Sequence, residues 1–273
     1  MISENYRRIK QGSCQKKLAF LSDIFLFLTA FRSIIILITS GGKGGIMNSR
    51  TRSIEQIIEE QVKRWQIIPA LEKKEDKTIS VITISREPGS GGNVLAKRLS
   101  EELGFDLFYQ DFIHSMAESA HVSVRLLETL DEKGVSVLEE WIDSLVDRQH
   151  LWPDQYLQHL MKILGTIGKH GRSVIVGRGA NFLLPSNKRL SVRVIAPLET
   201  RVKNVSREHN VTFEAAKTRI LKTESDRKAF IKKYFNDDIR DPLNYDVIIN
   251  TGELSIDDAA NAVKGALIRL NRA

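Results

Sequence analysis

Between residues 79 and 270, short apolar runs alternate with longer stretches of helical period. Residues 79–85, ISVITIS, are β-branched at most positions, which predicts a strand buried on both faces. Residues 86–93, REPGSGGN, form a glycine-rich turn. Residues 94–103 then place Val94, Leu95, Leu99 and Leu103 on one helical face, and Gly104 closes the helix. A short second strand is expected at 105–109. Residues 112–170 keep a helical pattern with no long polar gap until Gly171. A third strand at 173–176 runs into Gly177-Arg178-Gly179. A fourth at 191–195 is followed by Pro197, which opens a helix. Residues 212–234 make a long, strongly basic helical segment, and 245–250 a fifth strand. The final helix starts with Ser255 as cap and Asp258 three residues on. Strands alternating with helices predict an α/β fold whose parallel sheet is covered on both faces.

The upstream residues differ. Residues 53–68 place Ile54, Ile57, Ile58, Val62 and Trp65 at helical spacing behind Ser53, a helix expected to pack on the main domain. Residues 71–77, LEKKEDK, read as a solvated linker. Residues 18–40 are a nearly continuous apolar run behind a basic stretch, interrupted by Asp23 and Arg32. Two readings follow. An AAAGGAGG-like string before ATG would encode residues 43–46, which makes Met47 the start and 1–46 a translated leader. The other reading is a membrane anchor that tethers the protein to the inner membrane, facing the cytosol. The expected organisation is therefore 1–46 as leader or anchor, 47–77 as helix and linker, and 78–273 as the main domain.

Composition narrows the chemistry. The net charge is +7, but residues 1–46 hold seven basic against two acidic residues, net +5, leaving +2 for residues 47–273. So mild a surplus argues against a nucleic-acid surface. One cysteine, Cys14, excludes a disulfide framework and fits a cytoplasmic protein. The six histidines are scattered, without the spacing of a zinc site.

The glycine-rich turn carries the strongest chemical signal. A strand that ends in such a turn and opens a helix aims backbone N–H groups and the helix dipole at one spot, where an anion binds. Gly89, Gly91 and Gly92 let the backbone approach a phosphate closely. Against the phosphate-loop pattern G-x-x-x-x-G-K-[ST], Gly91 matches the second glycine. Arg86 falls on the first glycine, Gly92 on the lysine and Asn93 on the hydroxyl residue. A turn used only for tight strand–helix packing would read the same way.

Four segments extend the case. ITISREPGSGGNVLAKRLSEELGF, VIVGRGANFLLP, VIAPLETRVKNVSREHNVTFEAAKTRILKTESDRKAF and NYDVIINTGELSIDDAANAV occur in this order. Each resembles a segment of the cytidylate kinase-like family, together covering residues 79–267. The resemblance implies a P-loop NTPase-type three-layer fold with a five-stranded parallel sheet, a helical insertion at about 112–170 and a helical lid at about 212–240. It implies phosphorylation of a nucleoside monophosphate such as CMP, with ATP and Mg²⁺. Gly89, Ser90, Gly91, Gly92 and Asn93 would hold donor phosphates. Arg178 falls on the arginine of a GR pair that contacts the acceptor phosphate. Arg219, Arg227 and Lys228 fall in the lid.

The resemblance breaks at several positions. Gly92 stands where the family has lysine, and Val94 where it has threonine. Val176 and Gly179 replace acidic residues flanking GR, and Tyr109 replaces an acceptor-site aspartate, with Asp111 nearby. Arg86 is the candidate replacement cation for the phosphates. Ser90 or Asn93 is a candidate to orient a metal-bound water, and Asp111 and Glu87 are the candidate carboxylates; no direct protein ligand to a metal is assigned. The alternatives to a kinase of this type are a kinase for another small acceptor and a catalytically weak nucleotide-binding module acting through a protein partner.

Overall fold

The computed structural model describes residues 54–67, 79–149 and 153–271. The readings made on residues 1–53 and on the 71–77 linker lie outside the described residues.

Helix α1 (Ile54–Ile67) buries Ile57, Ile58, Val62 and Trp65, the stripe its periodicity predicts. Strand β1 (Val81–Arg86) is buried along its whole length. Arg86 extends it beyond the expected end because this residue pairs with Val194 of strand β4 (Arg189–Ile195); ladder pairing overrides the weak strand preference of arginine. Helix α2 (Gly92–Leu103) begins at Gly92, so its inward stripe runs Gly92, Leu95, Ala96 and Leu99. Val94, expected inward, is 57% exposed for that reason.

Strand β2 (Asp106–Phe108) leads into four helices: α3 (Gln110–Ala117), α4 (Ala120–Leu127), α5 (Glu132–Gln149) and α6 (Gln155–His170). Strand β3 (Ser173–Val176) and the short helix α7 (Ala180–Leu183) follow. After β4 come α8 (Leu198–His209) and α9 (Phe213–Phe235), joined through Asn210 in the left-handed region. Strand β5 (Val247–Asn250) and α10 (Ile256–Leu270) complete the described chain.

The five strands are all parallel, in the order β2-β3-β1-β4-β5. Ile82, Ile84, Val174, Val176, Leu190, Val192 and Val194 are fully buried on one face, against α2 and α10. The opposite face carries Val81 and Ile175 but also Thr83, Ser85, Ser191 and Arg193, all buried. Its apolar part packs on the α3–α6 helices, on α7 and on the C-terminal end of α9 through Ile231 and Phe235. Direction reverses beside β1: the connection leaving β1 runs to the β2 side, whereas those leaving β3 and β4 run to the β5 side; such a switch point opens a crevice at the strands' carboxyl ends.

α1 is an integral part of this body. Its Arg64 and Gln61 hold Asp106 at the sheet edge, at 2.9 Å each, and its Trp65 stacks on His170 at 4.1 Å. The apolar face of this helix is thus used internally. Among the described residues no helix is long and apolar enough to cross a membrane.

Candidate active site

At the carboxyl end of β1 the chain turns through Glu87 to Gly91. Gly89 and Gly91 take φ of 79° and 77°, a region open to glycine at little cost. At Gly89 crowding adds a second reason: a Cβ there would lie 2.6 Å from the Arg201 carbonyl oxygen. The outward groups of the loop are braced from behind. Ser90 donates to the carbonyls of Glu87 (2.9 Å) and Val194 (3.2 Å), Thr251 Oγ1 donates to Ser90 O (2.7 Å), and Asn204 Nδ2 donates to Gly89 O (2.9 Å). With its carbonyls tied outward, the loop is free to turn N–H groups toward the crevice. The α2 N-terminus that follows has no side-chain cap and no acidic residue in its first turn, so its dipole is left for an anion.

Four arginines converge on this edge from separate elements. Arg86 ends β1, is only 6% exposed, and donates from Nε to Asn93 Oδ1 at 3.0 Å. Arg178 follows β3 with φ 54°, flanked by Gly177 at 82° and Gly179 at 67°. An arginine in the left-handed region is strained, and such strain persists where the surroundings hold it. Arg178 donates from Nε to Gln110 O at 3.2 Å and lies 5.6 Å over the Phe230 ring. Arg193, on β4, donates to Ser85 Oγ at 2.7 Å and lies 5.7 Å over Tyr245. Arg227 reaches in from α9 and donates to the Arg86 carbonyl at 2.7 Å, while its buried Nε has no partner.

The electrostatics are those of a site suited to an anion. Burial, then Arg227, depresses Arg86 well below the usual arginine range; Asp111 works the other way. Burial, then Arg193, brings Arg227 down to about 10. Both shifts mean that each cation is desolvated among like charges, and a bound anion would relieve both.

Residues 81–253 match the profile of the cytidylate kinase-like family. This chain belongs to that family. It is 26% identical over 196 residues to a cytidylate kinase of Methanocaldococcus jannaschii, covering 70% of this chain and 99% of the relative. It is 30% identical over 193 residues to a cytidylate kinase of Pyrococcus horikoshii, covering 70% and 90%. A solved structure of an uncharacterised protein from Eubacterium ventriosum shares the fold at a TM-score of 0.52 and 21% identity, covering 69% of this chain and 98% of that one.

The geometry of this cytidylate kinase-like chain sorts the residues singled out from sequence. Arg86, Gly89, Ser90, Gly91, Gly92 and Asn93 form one loop and helix start. Arg178 and Arg227 stand with Arg86, and Asp111 faces both Arg86 and Arg227 from the first turn of α3. Arg219 and Lys228 lie on the exposed side of α9; its inward stripe runs Ala216, Ile220, Glu224, Arg227 and Ile231. Ser90 spends its hydroxyl on the carbonyls of Glu87 in the loop and Val194 on β4. Glu87 is engaged by Arg201 at 3.4 Å and by the Ala196 N–H at 3.1 Å.

Sequence reading missed Arg193 and Arg201. Arg193 had a signal: in RLSVRVI, Leu190, Val192 and Val194 alternate with Ser191 and Arg193, so one sheet face had to be polar. Arg201 sits in the first turns of a helix, where the dipole disfavours cations, and that mismatch was the clue. It bridges the loop and the lid helix, touching Glu87 at 3.4 Å and Glu224 at 2.6 Å.

The lost family carboxylates have structural explanations. Val176 is buried under α2, and a Cβ on Gly179 would lie 2.3 Å from Phe235 Cε2. The remaining donors do not fit a protein-held Mg²⁺. Asn93 Oδ1 is taken by Arg86, Glu87 by Arg201, and Asp111 faces arginines. No group of three acidic, histidine or cysteine residues able to hold a metal occurs among the described residues.

Proposed function

We propose that this protein transfers the terminal phosphoryl group of ATP to a nucleoside monophosphate of the CMP or dCMP kind. The observation that carries this reading is the convergence of Arg86, Arg178, Arg193 and Arg227 on the glycine-rich loop. Phosphoryl transfer needs positioning and charge neutralisation more than covalent chemistry, and this edge supplies both.

In this reading the loop N–H groups from Gly89 to Asn93 and the α2 dipole hold the donor phosphates. Arg178, pinned by Gln110 O and stacked on Phe230, grips the acceptor phosphate. An acceptor phosphate oxygen attacks the γ-phosphorus, the bond to the β–γ bridging oxygen breaks, and a nucleoside diphosphate and ADP leave. Arg227 and Arg193 neutralise charge on the transferring group. Arg227 leaves the Arg86 carbonyl for the phosphoryl oxygens. Arg219 and Lys228 have no part in this step. The organisation of the chain into a helical acceptor side (α3–α6) and a lid (α8–α9) belongs to the same proposal.

The test is coupled ADP release by the full chain with Mg-ATP against CMP, dCMP, UMP, AMP and GMP. Turnover with a cytidine acceptor is expected, and Arg178→Ala should lower kcat/KM about a hundredfold, the scale of one lost transition-state donor. ATP binding without turnover on any acceptor would replace this reading with a nucleotide-binding module that acts through a partner.

A further inference from the structure

Arg86 and Gly92 share one volume. A Cβ on Gly92 would lie 2.4 Å from Arg86 Cβ and 2.9 Å from its Cγ. Real Cβ atoms do not approach that closely, and the obstacle is the root of a side chain, not its flexible tip. The two departures from the phosphate-loop pattern are therefore one exchange. A lysine at 92 cannot coexist with the Arg86 stem in this backbone, and the stem occupies space that only a glycine at 92 leaves open.

The stem carries the guanidinium to the mouth of the loop. Nε is fixed on Asn93 Oδ1 at the first turn of α2. On the other side, Nη1 reaches the end of β3, 2.7 Å from where a Cβ on Gly177 would stand. Two positions of the loop thus depart together to admit one side chain: Gly92 for its root and Asn93 to orient it. Among the described residues neither Nη group donates a hydrogen bond and no carboxylate forms an ion pair with Arg86. A planar fork of donors is fixed at one end and has no protein acceptor among the described residues at the other, the arrangement that suits phosphate oxygens.

We propose that Arg86 is the phosphate-loop cation of this protein: a strand-borne arginine replaces the helix-borne lysine and binds the donor's terminal phosphates without a protein-ligated metal. The inference deepens the phosphoryl-transfer reading, on which it relies for the ligand being a nucleoside di- or triphosphate. The pairing of Asn93 with Arg86 removes the side-chain oxygen nearest the loop from metal ligation, so the fixed guanidinium does the neutralising there.

The experiment titrates the full chain with ADP, once with Mg²⁺ and once with EDTA, and adds turnover on CMP. The parent is expected to bind ADP with dissociation constants within about threefold of each other in the two buffers. Arg86→Ala should weaken both by about tenfold or more, the scale of one charge-assisted phosphate contact. Gly92→Lys alone should bind poorly, and Arg86→Gly combined with Gly92→Lys should recover at least half of the lost binding free energy. Thermal melts accompany each variant. If Arg86→Ala does not fold, Arg86→Lys takes its place, with the same expected direction. Two results overturn the inference: ADP affinity unchanged in a folded Arg86 variant, or parent binding abolished by EDTA. A double variant no better than Gly92→Lys overturns the exchange. The two proposals separate cleanly: Arg86-dependent ADP binding without turnover retires the kinase reading alone, while CMP turnover indifferent to Arg86 retires the exchange alone.

Discussion

Three successive residues, Gly177, Arg178 and Gly179, take left-handed φ of 82°, 54° and 67°. Both flanking glycines are favoured by backbone conformation, and Gly179 also by space against Phe235. Gly179→Ala should therefore lower stability by about 2 kcal/mol, from the left-handed Cβ strain and the Phe235 contact together, and should weaken acceptor binding through the tilt imposed on Arg178. Chemical denaturation and the acceptor KM check this; a stable variant with parental KM would refute it. At this scale the sequence was partly legible. A long cation between two glycines after an apolar strand stood out as misplaced for packing. Arg193 did not, because a single arginine inside RLSVRVI shows its partner only when β1 brings Ser85 alongside it. Arg219, Arg227 and Lys228 are alike as letters. Only the register of α9, set by Ala216, Ile220 and Ile231 packing beneath, decides that Arg227 points inward.

Among the elements, α1 has the clearest physical signature. Trp65 is buried, stacks on His170 with ring planes 9° apart, and lies near Phe108. His170 Nε2 is 2.8 Å from Thr129 Oγ1, just past α4, so one imidazole joins α1, the α4 end and α6. Burial depresses His170 from 6.5 to about 4. The imidazole is neutral in the fold, and the unfolded chain takes up its proton first as pH falls. The stability it contributes is therefore fully present above pH 6.5 and is lost progressively down to about pH 4. That window should cost about 2 kcal/mol after allowance for its partial solvent contact. Denaturation of the parent and of His170→Gln at pH 7 and 4.5 measures it: the parent's loss should exceed the variant's, and equal losses would remove His170 as the cause. The α1 helix itself was legible from its stripe. Its stacking on His170 was not, since the two rings stand 105 positions apart in the sequence.

For the whole molecule, strand and helix alternation gave the class, because parallel strands buried on both faces read as continuous apolar runs. The order β2-β3-β1-β4-β5 puts β1 at the centre, and with it the glycine loop and Arg86. The polar half of the second sheet face was legible in the alternation of β4 but not in β1. Thr83 and Ser85 look like ordinary strand residues until the register sets them beside Ser191 and Arg193. What unites the molecule is charge: separate elements each bring one arginine to the same edge, and a single described carboxylate, Asp111, faces them without an arginine salt bridge of its own. In the proposed reaction, donor and acceptor phosphates share this one field. The most direct test is the affinity of the full chain for a bisubstrate compound that joins cytidine to adenosine through a bridge of phosphates, compared with ADP and CMP alone. The joined ligand should bind at least about a hundredfold more tightly than ADP, with that gain lost in Arg178→Ala. Binding no tighter than ADP would contradict a shared donor–acceptor site.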